Sequence, residues 1–418
     1  MSNRLPRDLW TEILVSLPVK SLLRFQCVCK SWKSLISTPT FISMHTQHSE
    51  STGNYAHILC WQLRFKDRAT PYRLLHIDRS FNEFQELEYP CQMRRHGVIH
   101  DCKGLILFTT VIRDGQDDNR FDLLTLWNPA IRMSMTLPRP RIDVPKGKHC
   151  IHGFGFDHTS NDYKVLRMVQ DSYRLFPVLQ VEIYRLHTGA WETFPGADDF
   201  LYRIAPTWQA FVNGASHWFG YLKRKHMLSD VSSKPVVVLF DMCDEQLRVM
   251  KLPDNFKGWV KNLLGVSGGL LSLMEYNDRR QDVNLSCSIW LMKEYGVAES
   301  WTKQFTIDLK GWRFGEIFCF RNNEKILAWN RENGRESVLY DPKTHRFINI
   351  GGGLGIKAKD YLLSKSTLVE SLVLLDKENS KQMCQTCLRK CQLCDSNKEK
   401  KMKICTRERR LSKAQENS

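Results

Sequence analysis

Four cysteines near the end of the sequence have the spacing that could most directly do chemistry. Cys384, Cys387, Cys391 and Cys394 form a C-x2-C-x3-C-x2-C pattern, and four thiolates suit a tetrahedral zinc site. The three residues between the two pairs are far fewer than the roughly 15 to 20 of a usual zinc site. On a helix this spacing would place all four side chains in one stripe, which favours a docking or oxidation-prone face. We therefore predict no metal site, and a zinc centre stays open as the alternative.

The thirteen histidines are the other side chains that could ligate a metal or transfer a proton. They are spread singly, and His100, His152 and His217 lie in sequences typical of β-strands, where a hydrogen-bonded structural role is the usual one. Residues 351–355 are rich in glycine, but no convincing helix follows them, so they are interpreted as a loop and not as a phosphate-binding site. We expect no catalytic residues and no cofactor.

The first forty residues indicate a different kind of function, because they carry more apolar surface than three short helices can bury. Pro6 is predicted to occupy the first position of a helix, along which Leu9 and Ile13 recur at helical spacing until Pro18 stops it. Two further helices are predicted before a stop near Pro39. A module of this size buries too little surface to fold unaided. A partner, or the rest of the chain, must cover the remainder.

This segment resembles the F-box, the adaptor-binding module in the receptor subunits of Skp–cullin–F-box ubiquitin ligases. The resemblance covers about a tenth of the chain and is carried, in order, by Leu5, Pro6, Leu9, Ile13, Leu17, Pro18, Leu22, Arg24, Val28, Cys29, Lys30 and Trp32. It implies that a Skp-type adaptor binds a set of apolar residues here, namely Leu5, Pro6, Leu9, Ile13, Leu17, Pro18 and Leu22.

A repeat of about fifty residues occupies the middle of the chain. Each copy has a strand that ends near a large apolar or aromatic residue and is followed by a turn and a second strand. The marker residues are Ile77, Trp127, Tyr184, Phe240, Trp290 and Tyr340, which are separated by 50, 57, 56, 50 and 50 residues. Regular spacing of this kind is typical of repeat architectures.

A second hairpin lies between successive markers, and its turn residues tolerate positive φ. These turns are Asp101 to Gly104, Asn161-Asp162, Asn213-Gly214, Gly268-Gly269 and Asn322-Asn323. Each unit then supplies four strands, and four-stranded sheets repeated around an axis form a β-propeller. Five units are complete. The sixth is predicted to be divided between residues 55–77 and residues 361–375, so that pairing of its two parts closes the ring.

The same region resembles the F-box-associated domain of plant F-box proteins, which is related to kelch-type propellers. The matching segments run in order over roughly residues 95–375: Leu126 to Arg132, Gly153 to Asp157 with Asp162 to Val165, Val181 to Tyr184, Val212 to Trp218, and Ile289 to Lys303. The doubled glycines and His-Trp pairs of true kelch blades do not recur regularly. The resemblance therefore implies a propeller-like interaction domain and leaves the number of blades open.

Charge and composition narrow the class of protein. The formal net charge is +16, but residues 1–40 hold six Lys/Arg against two Asp/Glu and residues 376–418 hold twelve against six, which leaves +6 for the long middle. A nucleic-acid-binding face should be more concentrated and carry recognisable motifs, so we do not expect nucleic-acid binding. No run of eighteen apolar residues occurs and the start is polar, which predicts a cytoplasmic or nuclear protein without membrane contact.

Together these patterns predict a multidomain protein that combines α and all-β parts: a three-helix F-box over residues 1–45, a β-propeller-like domain of about six four-stranded units over residues 46–375, and a basic, disordered tail over residues 376–418. The predicted function is that of a non-catalytic substrate receptor, which joins an unknown protein target to a Skp-type adaptor and, through the adaptor, to a cullin. The target-binding residues are unknown. The alternatives are a ligase-independent interaction scaffold or a basic nucleic-acid-binding protein.

Overall fold

The computed structural model of the chain describes most of the sequence between residues 6 and 374. The described residues are 6–52, 57–64, 73–77, 84–87, 99–113, 120–171, 179–194, 200, 202–205, 209–222, 235–256, 263–277, 286–308, 314–321, 325–330, 336–341, 343–349 and 360–374. Among them no helix is both long and apolar enough to cross a membrane. The four tail cysteines and residues 351–355 lie outside the described residues.

Four helices form the N-terminal module of the described chain: Arg7–Val15 (α1), Val19–Phe25 (α2), Lys30–Ile36 (α3) and Pro39–Thr52 (α4). Pro6 and Pro18 have extended backbones, with ψ of 148° and 147°, and are the N-cap residues of α1 and α2. Pro6 thus lies one position before the helix it was expected to begin. Proline is compatible with either position, because the first N–H groups of a helix have no partner within it.

The fourth helix is a difference from the predicted three. Pro39 does not end the module but begins α4, and the Phe41 N–H donates to Thr38 Oγ1 at 3.3 Å. A threonine cap followed by proline at the first helical position is a helix-start signal. The Thr-Pro pair therefore stops α3 and starts α4 at the same place.

The remaining described residues form β-strands. In chain order these strands are His57–Arg64 (β1), Arg73–Ile77 (β2), Phe84–Leu87 (β3), Ile99–Cys102 (β4), Leu105–Arg113 (β5), Arg120–Asn128 (β6), Met133–Thr136 (β7), Lys148–Asp157 (β8), Asp162–Asp171 (β9), Leu179–Arg185 (β10), Ala190–Phe194 (β11), Tyr202–Ile204 (β12), Ala210–Val212 (β13), Ala215–Leu222 (β14), Pro235–Asp241 (β15), Leu247–Lys251 (β16), Leu263–Ser267 (β17), Leu270–Asn277 (β18), Ser286–Met292 (β19), Trp301–Asp308 (β20), Phe314–Arg321 (β21), Lys325–Asn330 (β22), Glu336–Asp341 (β23), Arg346–Asn349 (β24) and Asp360–Leu368 (β25). One short 3-10 helix, Ala298–Ser300, precedes β20.

Within the described residues these strands pair into six antiparallel sheets. Five sheets have four strands, in the orders β25-β1-β2-β3, β4-β5-β6-β7, β8-β9-β10-β11, β17-β18-β19-β20 and β21-β22-β23-β24. In the remaining sheet β12 and β13 both pair with β14, which continues to β15 and β16. All six marker residues lie on the third strand of their sheets. The predicted fifty-residue repeat of four strands is confirmed.

The sheets meet through their innermost strands and, in the fourth sheet, also through β14. In the described residues β4 contacts β8, β8 contacts β14, β13 and β14 contact β17, β17 contacts β21, β21 contacts β25, and β25 returns to β4. The first sheet joins the two ends of this region, since β25 pairs antiparallel with β1, for example Trp61 with Leu363. The prediction that the front and back of the repeat region pair to close the ring is confirmed.

In several sheets the turn between the first and second strands has the positive φ values that the sequence predicts. Lys103-Gly104, Asn213-Gly214 and Gly268-Gly269 have positive φ at both positions, as the two-residue turns of antiparallel hairpins require. Gly104 is also needed for a close approach, because an added Cβ would lie 2.4 Å from Ser371 Oγ. Asn161 has a φ of 53° in the corresponding turn. The predicted turn at Asn322-Asn323 lies outside the described residues.

Candidate docking surface on the N-terminal helices

The first helix divides its apolar side chains between the interior and the surface. Leu14 and Val15 are buried, whereas Leu9 and Ile13 are 44% and 47% exposed. Leu9 and Ile13 are four residues apart, so they are neighbours on one face of α1. Large apolar side chains that are exposed next to each other indicate a binding surface more than a packing requirement.

The structure places the seven residues predicted to contact an adaptor in different environments. Leu5 lies outside the described residues. Pro6, Leu9 and Ile13 are exposed, and Leu17 and Pro18 are half-buried. Leu22 is fully buried in the shared core of the molecule. Leu22 therefore supports the surface from inside and does not line it.

An aromatic cluster joins three of the helices beside this surface. The ring of Trp32 lies 5.5 Å from that of Trp10 and 5.2 Å from that of Phe25, and all three rings are half-buried. Aromatic pairs at these distances stabilise the arrangement of the helices that carry them. The resemblance to the F-box includes Trp32, and the structure gives that tryptophan a packing role between α1, α2 and α3.

Two further exposed apolar residues were not among the predicted contacts. Val28, between α2 and α3, is 64% exposed, and Met44, on α4, is 41% exposed. Val28 lies in the Val-Cys-Lys-Ser-Trp segment that carries part of the resemblance, so its signal was present in the sequence. Met44 lies on the helix that was not predicted, and the sequence pattern gave no separate signal for it.

The opposite side of the helical module packs on the β-domain. Val19, Leu22, Ile36 and Phe41 are buried in one apolar cluster with residues of β5 and β6 and with Leu372. This burial covers apolar surface that three or four short helices cannot cover alone. The exposed face of α1 is thereby held on a folded support.

A short segment after the last strand lies between the helices and the second sheet. In this segment, residues 369–374, Leu372 and Leu374 are fully buried, and the Asn128 side chain donates to the carbonyl oxygens of Ser371 and Val373, each at 2.9 Å. The Val19 N–H donates to a Glu370 carboxylate oxygen at 3.2 Å. Burial raises the pKa of Glu370. The strand that closes the ring, β25, therefore continues directly into the segment on which the helical module packs.

Polar contacts complete this junction at the turn between β4 and β5 and at the turn between β8 and β9. Lys103 Nζ lies 2.6 Å from a Glu50 carboxylate oxygen, and the Ser43 hydroxyl donates to Asn161 Oδ1 at 3.3 Å. Both turns belong to one end of the second and third sheets. The helical module is thus fixed to that end by an apolar core with a few polar contacts at its edge.

His217, one of the three strand histidines singled out in the sequence, is buried with a hydrogen-bond partner at each ring nitrogen. His217 Nδ1 lies 3.0 Å from the Ala210 carbonyl oxygen, and Nε2 lies 2.8 Å from the Tyr295 hydroxyl. Burial lowers the pKa of His217 to about 4, so this imidazole is neutral and links two neighbouring sheets. The prediction of a structural role for His217 is confirmed.

One buried group among the described residues combines side chains that could ligate a metal: Asp122, Cys150 and His152. Their ligand atoms already contact one another, since His152 Nε2 lies 3.2 Å from Asp122 Oδ2 and 3.4 Å from Cys150 Sγ. Arg167 Nη2 also donates to Asp122 Oδ2 at 2.7 Å, and burial raises the pKa of the Cys150 thiol. A guanidinium at this distance and a protonated thiol both disfavour a bound cation, so the group is a structural hydrogen-bond network.

Ser267 lies in a sequence pattern that is also found around nucleophilic serines. Residues 265–269 read Gly-Val-Ser-Gly-Gly, which fits the Gly-x-Ser-x-Gly sequence of a nucleophilic serine. In such enzymes the serine lies on a turn between a strand and a helix and is exposed at its tip. Here Ser267 is buried at the end of β17, and the two glycines form the tight turn to β18. The pattern therefore reflects hairpin geometry.

Comparison with known proteins agrees with this organisation. The family described as "F-box associated beta propeller domain" matches residues 66–375, and the one described as "F-box domain" matches residues 2–43. The chain is 29% identical over 403 residues to F-box protein CPR1 of Arabidopsis thaliana, with 88% of this chain and 89% of that protein covered.

Two other matches show how far the likeness extends. The chain is 26% identical over 329 residues to F-box/kelch-repeat protein At3g23880 of Arabidopsis thaliana, which covers 73% of this chain and 80% of that protein. Among solved structures, TolB from Acinetobacter baumannii has a TM-score of 0.42 at 12% identity, covering 74% of this chain and 68% of that one. The family match to the propeller domain spans most of the chain. The chain belongs to the family of proteins with an F-box associated beta propeller domain, and this domain follows an N-terminal F-box.

Proposed function

We propose that the protein is the substrate-receptor subunit of a Skp–cullin–F-box ubiquitin ligase. The observation that carries this proposal is the exposed Leu9 and Ile13 pair on a helical module that is firmly packed on a β-propeller-like domain. The F-box match and the F-box protein relatives support the same role. In this role the chain has no catalytic residue of its own.

The proposed adaptor surface is built around α1. Leu9 and Ile13 provide its exposed apolar centre, and Pro6, Leu17 and Pro18 provide its border. Leu5 is included on the sequence resemblance alone. Leu22 contributes indirectly, because its burial fixes α2 on the core.

The proposed mechanism is proximity. A target held by the β-domain has its lysines brought near the ubiquitin-loaded enzyme on the cullin, so that transfer proceeds almost as a unimolecular reaction. Such a mechanism needs a defined geometry between the two binding surfaces. The apolar core shared by the helices and the second sheet supports this requirement.

We also propose a division of the chain into blades and domains. We assign one blade to each of the six sheets found in the described residues, the first blade being completed by the last strand. We keep the predicted divisions, with the F-box over residues 1–45, the propeller over residues 46–375 and the tail beyond them. The helices of the first division continue to Thr52.

A pull-down with a purified Skp-type adaptor tests the proposal. The double variant Leu9→Glu plus Ile13→Glu places two charges in the exposed apolar centre, and we expect it to reduce adaptor binding by at least about a hundredfold, the effect of ~3 kcal/mol. The matched control is Tyr221→Glu plus Val266→Glu, which charges two exposed apolar residues of the β-domain.

The control variant should retain adaptor binding. A wild-type chain that forms no complex with the adaptor, or a Leu9/Ile13 double variant that binds as well as the wild type, would exclude the proposed role. Circular dichroism of both variants should match the wild type, because all four substituted side chains are exposed.

A further inference from the structure

The connection between the second and third sheets forms a basic surface. We refer to residues 137–148, which link β7 to the start of β8, as the basic crossover. It carries the cationic side chains of Arg139, Arg141, Lys146 and Lys148 against the single carboxylate of Asp143. Arg141 and Lys146 are exposed, and the Arg139 side chain is 54% exposed.

The basic crossover lies at the opposite end of the sheets from the helical module. β8 leaves the crossover at Lys148 and ends at Asp157, next to the turn where Asn161 contacts Ser43 of α4. Ten residues of extended strand span about 30 Å. A partner on the basic crossover would therefore leave the exposed face of α1 accessible.

The backbone of the basic crossover is fixed by buried side chains. Glu182 Oε2 accepts hydrogen bonds from the Arg141 and Ile142 N–H groups at 2.8 Å and 3.2 Å. Arg167 Nη1 donates to the Ile142 carbonyl oxygen at 3.1 Å, and Trp191 Nε1 donates to the Pro138 carbonyl oxygen at 2.9 Å. An irregular segment held in this way presents its outward side chains in defined positions.

The side chains beneath the crossover form an ionic network. Arg167 of β9 is fully buried and pairs with Glu182 of the adjacent strand β10 and with Asp122 of β6 in the second sheet. Burial would raise the pKa of Asp122, but the hydrogen bonds and charges of His152 and Arg167 outweigh it and hold this pKa well below its usual range. The carboxylates of Asp122 and Glu182 lie under the basic loop, which offsets part of the mutual repulsion of its cations.

From these observations we infer that the basic crossover binds an acidic, carboxylate-rich segment of the target protein. The inference rests on the proposed function, since it names the class of target that the β-domain selects. Charge complementarity identifies the partner: several exposed cations on a fixed backbone attract an anionic chain and set its register. The Arg139 guanidinium pairs with Asp143 at 3.2 Å and lies over the Phe121 ring, whereas the exposed Arg141 can form a bidentate pair with a partner carboxylate, which adds geometric selectivity to the attraction.

The test is fluorescence anisotropy of a labelled deca-glutamate peptide titrated with the full-length chain. The double variant Arg141→Gln plus Lys146→Gln should bind about five- to tenfold more weakly, which is the loss expected for two exposed ion pairs. The matched control, Arg132→Gln plus Lys343→Gln, removes the same charge from two turns at the helical end of the sheets and should bind like the wild type.

Three results would overturn the inference. Equal weakening of both double variants would show that only net charge matters. A wild-type chain that binds the acidic peptide no more tightly than an uncharged Gly-Ser peptide would show that there is no such surface. A duplex oligonucleotide that binds more tightly than the peptide, and loses affinity with the same crossover variant, would assign the surface to nucleic acid.

An adaptor pull-down on the same protein samples separates this inference from the proposed function. The crossover variant and its control should both bind the adaptor, because neither substitutes a residue of α1. Failure of peptide binding with adaptor binding intact would overturn the inference alone. Failure of adaptor binding with selective peptide binding intact would overturn the proposed function and leave the acidic-peptide surface in place.

Discussion

Different interactions stabilise the two ends of the second and third sheets. At the helical end the turns at Lys103 and Asn161 meet α4, and the contact is dominated by buried Leu, Ile, Val and Phe side chains. At the other end the basic crossover rests on the buried charges of Arg167, Asp122 and Glu182. The same strands thus support an exposed apolar surface at one end and an exposed cationic surface at the other.

This difference predicts how much stability a single substitution removes at each end. Apolar packing tolerates loss of one group with a graded cost that depends on the cavity left behind. A buried ionic network responds more sharply, since removing one member leaves an uncompensated charge. The two ends should therefore be separable by mutation.

The largest effect is expected at the ionic end. Replacing Arg167 by methionine leaves Asp122 and Glu182 without their shared cation, and breaking a buried ion pair in this way costs about 3–5 kcal/mol of the free energy of unfolding. Urea denaturation followed by tryptophan fluorescence measures the loss. Arg132→Met, at an exposed turn of the helical end, is the control and should change stability by less than about 0.5 kcal/mol. Similar effects of the two substitutions would remove the distinction between the ends.

A smaller but still large effect is expected at the apolar end. Leu22→Ala creates a cavity in the core shared by the helices and the β-domain, and substitutions of this kind cost about 2–5 kcal/mol. Limited proteolysis should show preferential cleavage within residues 6–52, and adaptor binding should fall with the loss of helical structure. Anisotropy of the acidic peptide at the basic crossover should stay unchanged. A parallel loss of peptide binding would mean that the two ends are coupled.

The smallest effect is a dependence on pH at the junction. Burial raises the pKa of Glu370 in the folded state, so its contribution to stability is fully present below the ordinary carboxyl pKa and is lost as pH rises through the raised value. The free energy of unfolding of the wild type relative to Glu370→Gln should therefore increase as the solution is made mildly acidic. Asp122 has the opposite sign, because its lowered pKa makes its contribution fully present above the ordinary carboxyl pKa, and that contribution is lost as pH falls from there through the lowered value. A difference that does not vary with pH would contradict the assignment to Glu370.

Local signals made much of the fold predictable from the sequence. The markers at intervals of 50 to 57 residues lie on equivalent strands because each unit repeats the same local pattern of strand, turn and strand. The positive φ values at Gly104 and Asn213-Gly214 follow from residue types that favour such turns. The pairing of β1 with β25 was predictable because an incomplete unit remained at each end of the repeat.

The features that escaped prediction depend on contacts between distant residues. Leu22 fits the helical pattern of an exposed contact, but its burial is decided by the β-domain, which no periodicity within the helix reveals. Asp122, Arg167 and Glu182 lie on three strands separated by loops, so their charges looked like ordinary polar positions in each strand taken singly. The start of α4 was missed for a local reason, because Thr38-Pro39 signals both an end and a beginning.

The pairing of the first and last strands has a consequence for synthesis on the ribosome. β1 begins at His57 and its partner β25 ends at Leu368, so at roughly 5–20 residues per second about 15–60 s pass between the appearance of the two strands. During that interval the innermost edge of the first sheet has no neighbour, and the α-helical module lacks the segment 369–374 that seats it. The nascent chain therefore carries an open sheet edge and uncovered apolar helices until residues 360–374 have been synthesised, and we expect chaperones that shield such surfaces to bind it during that interval.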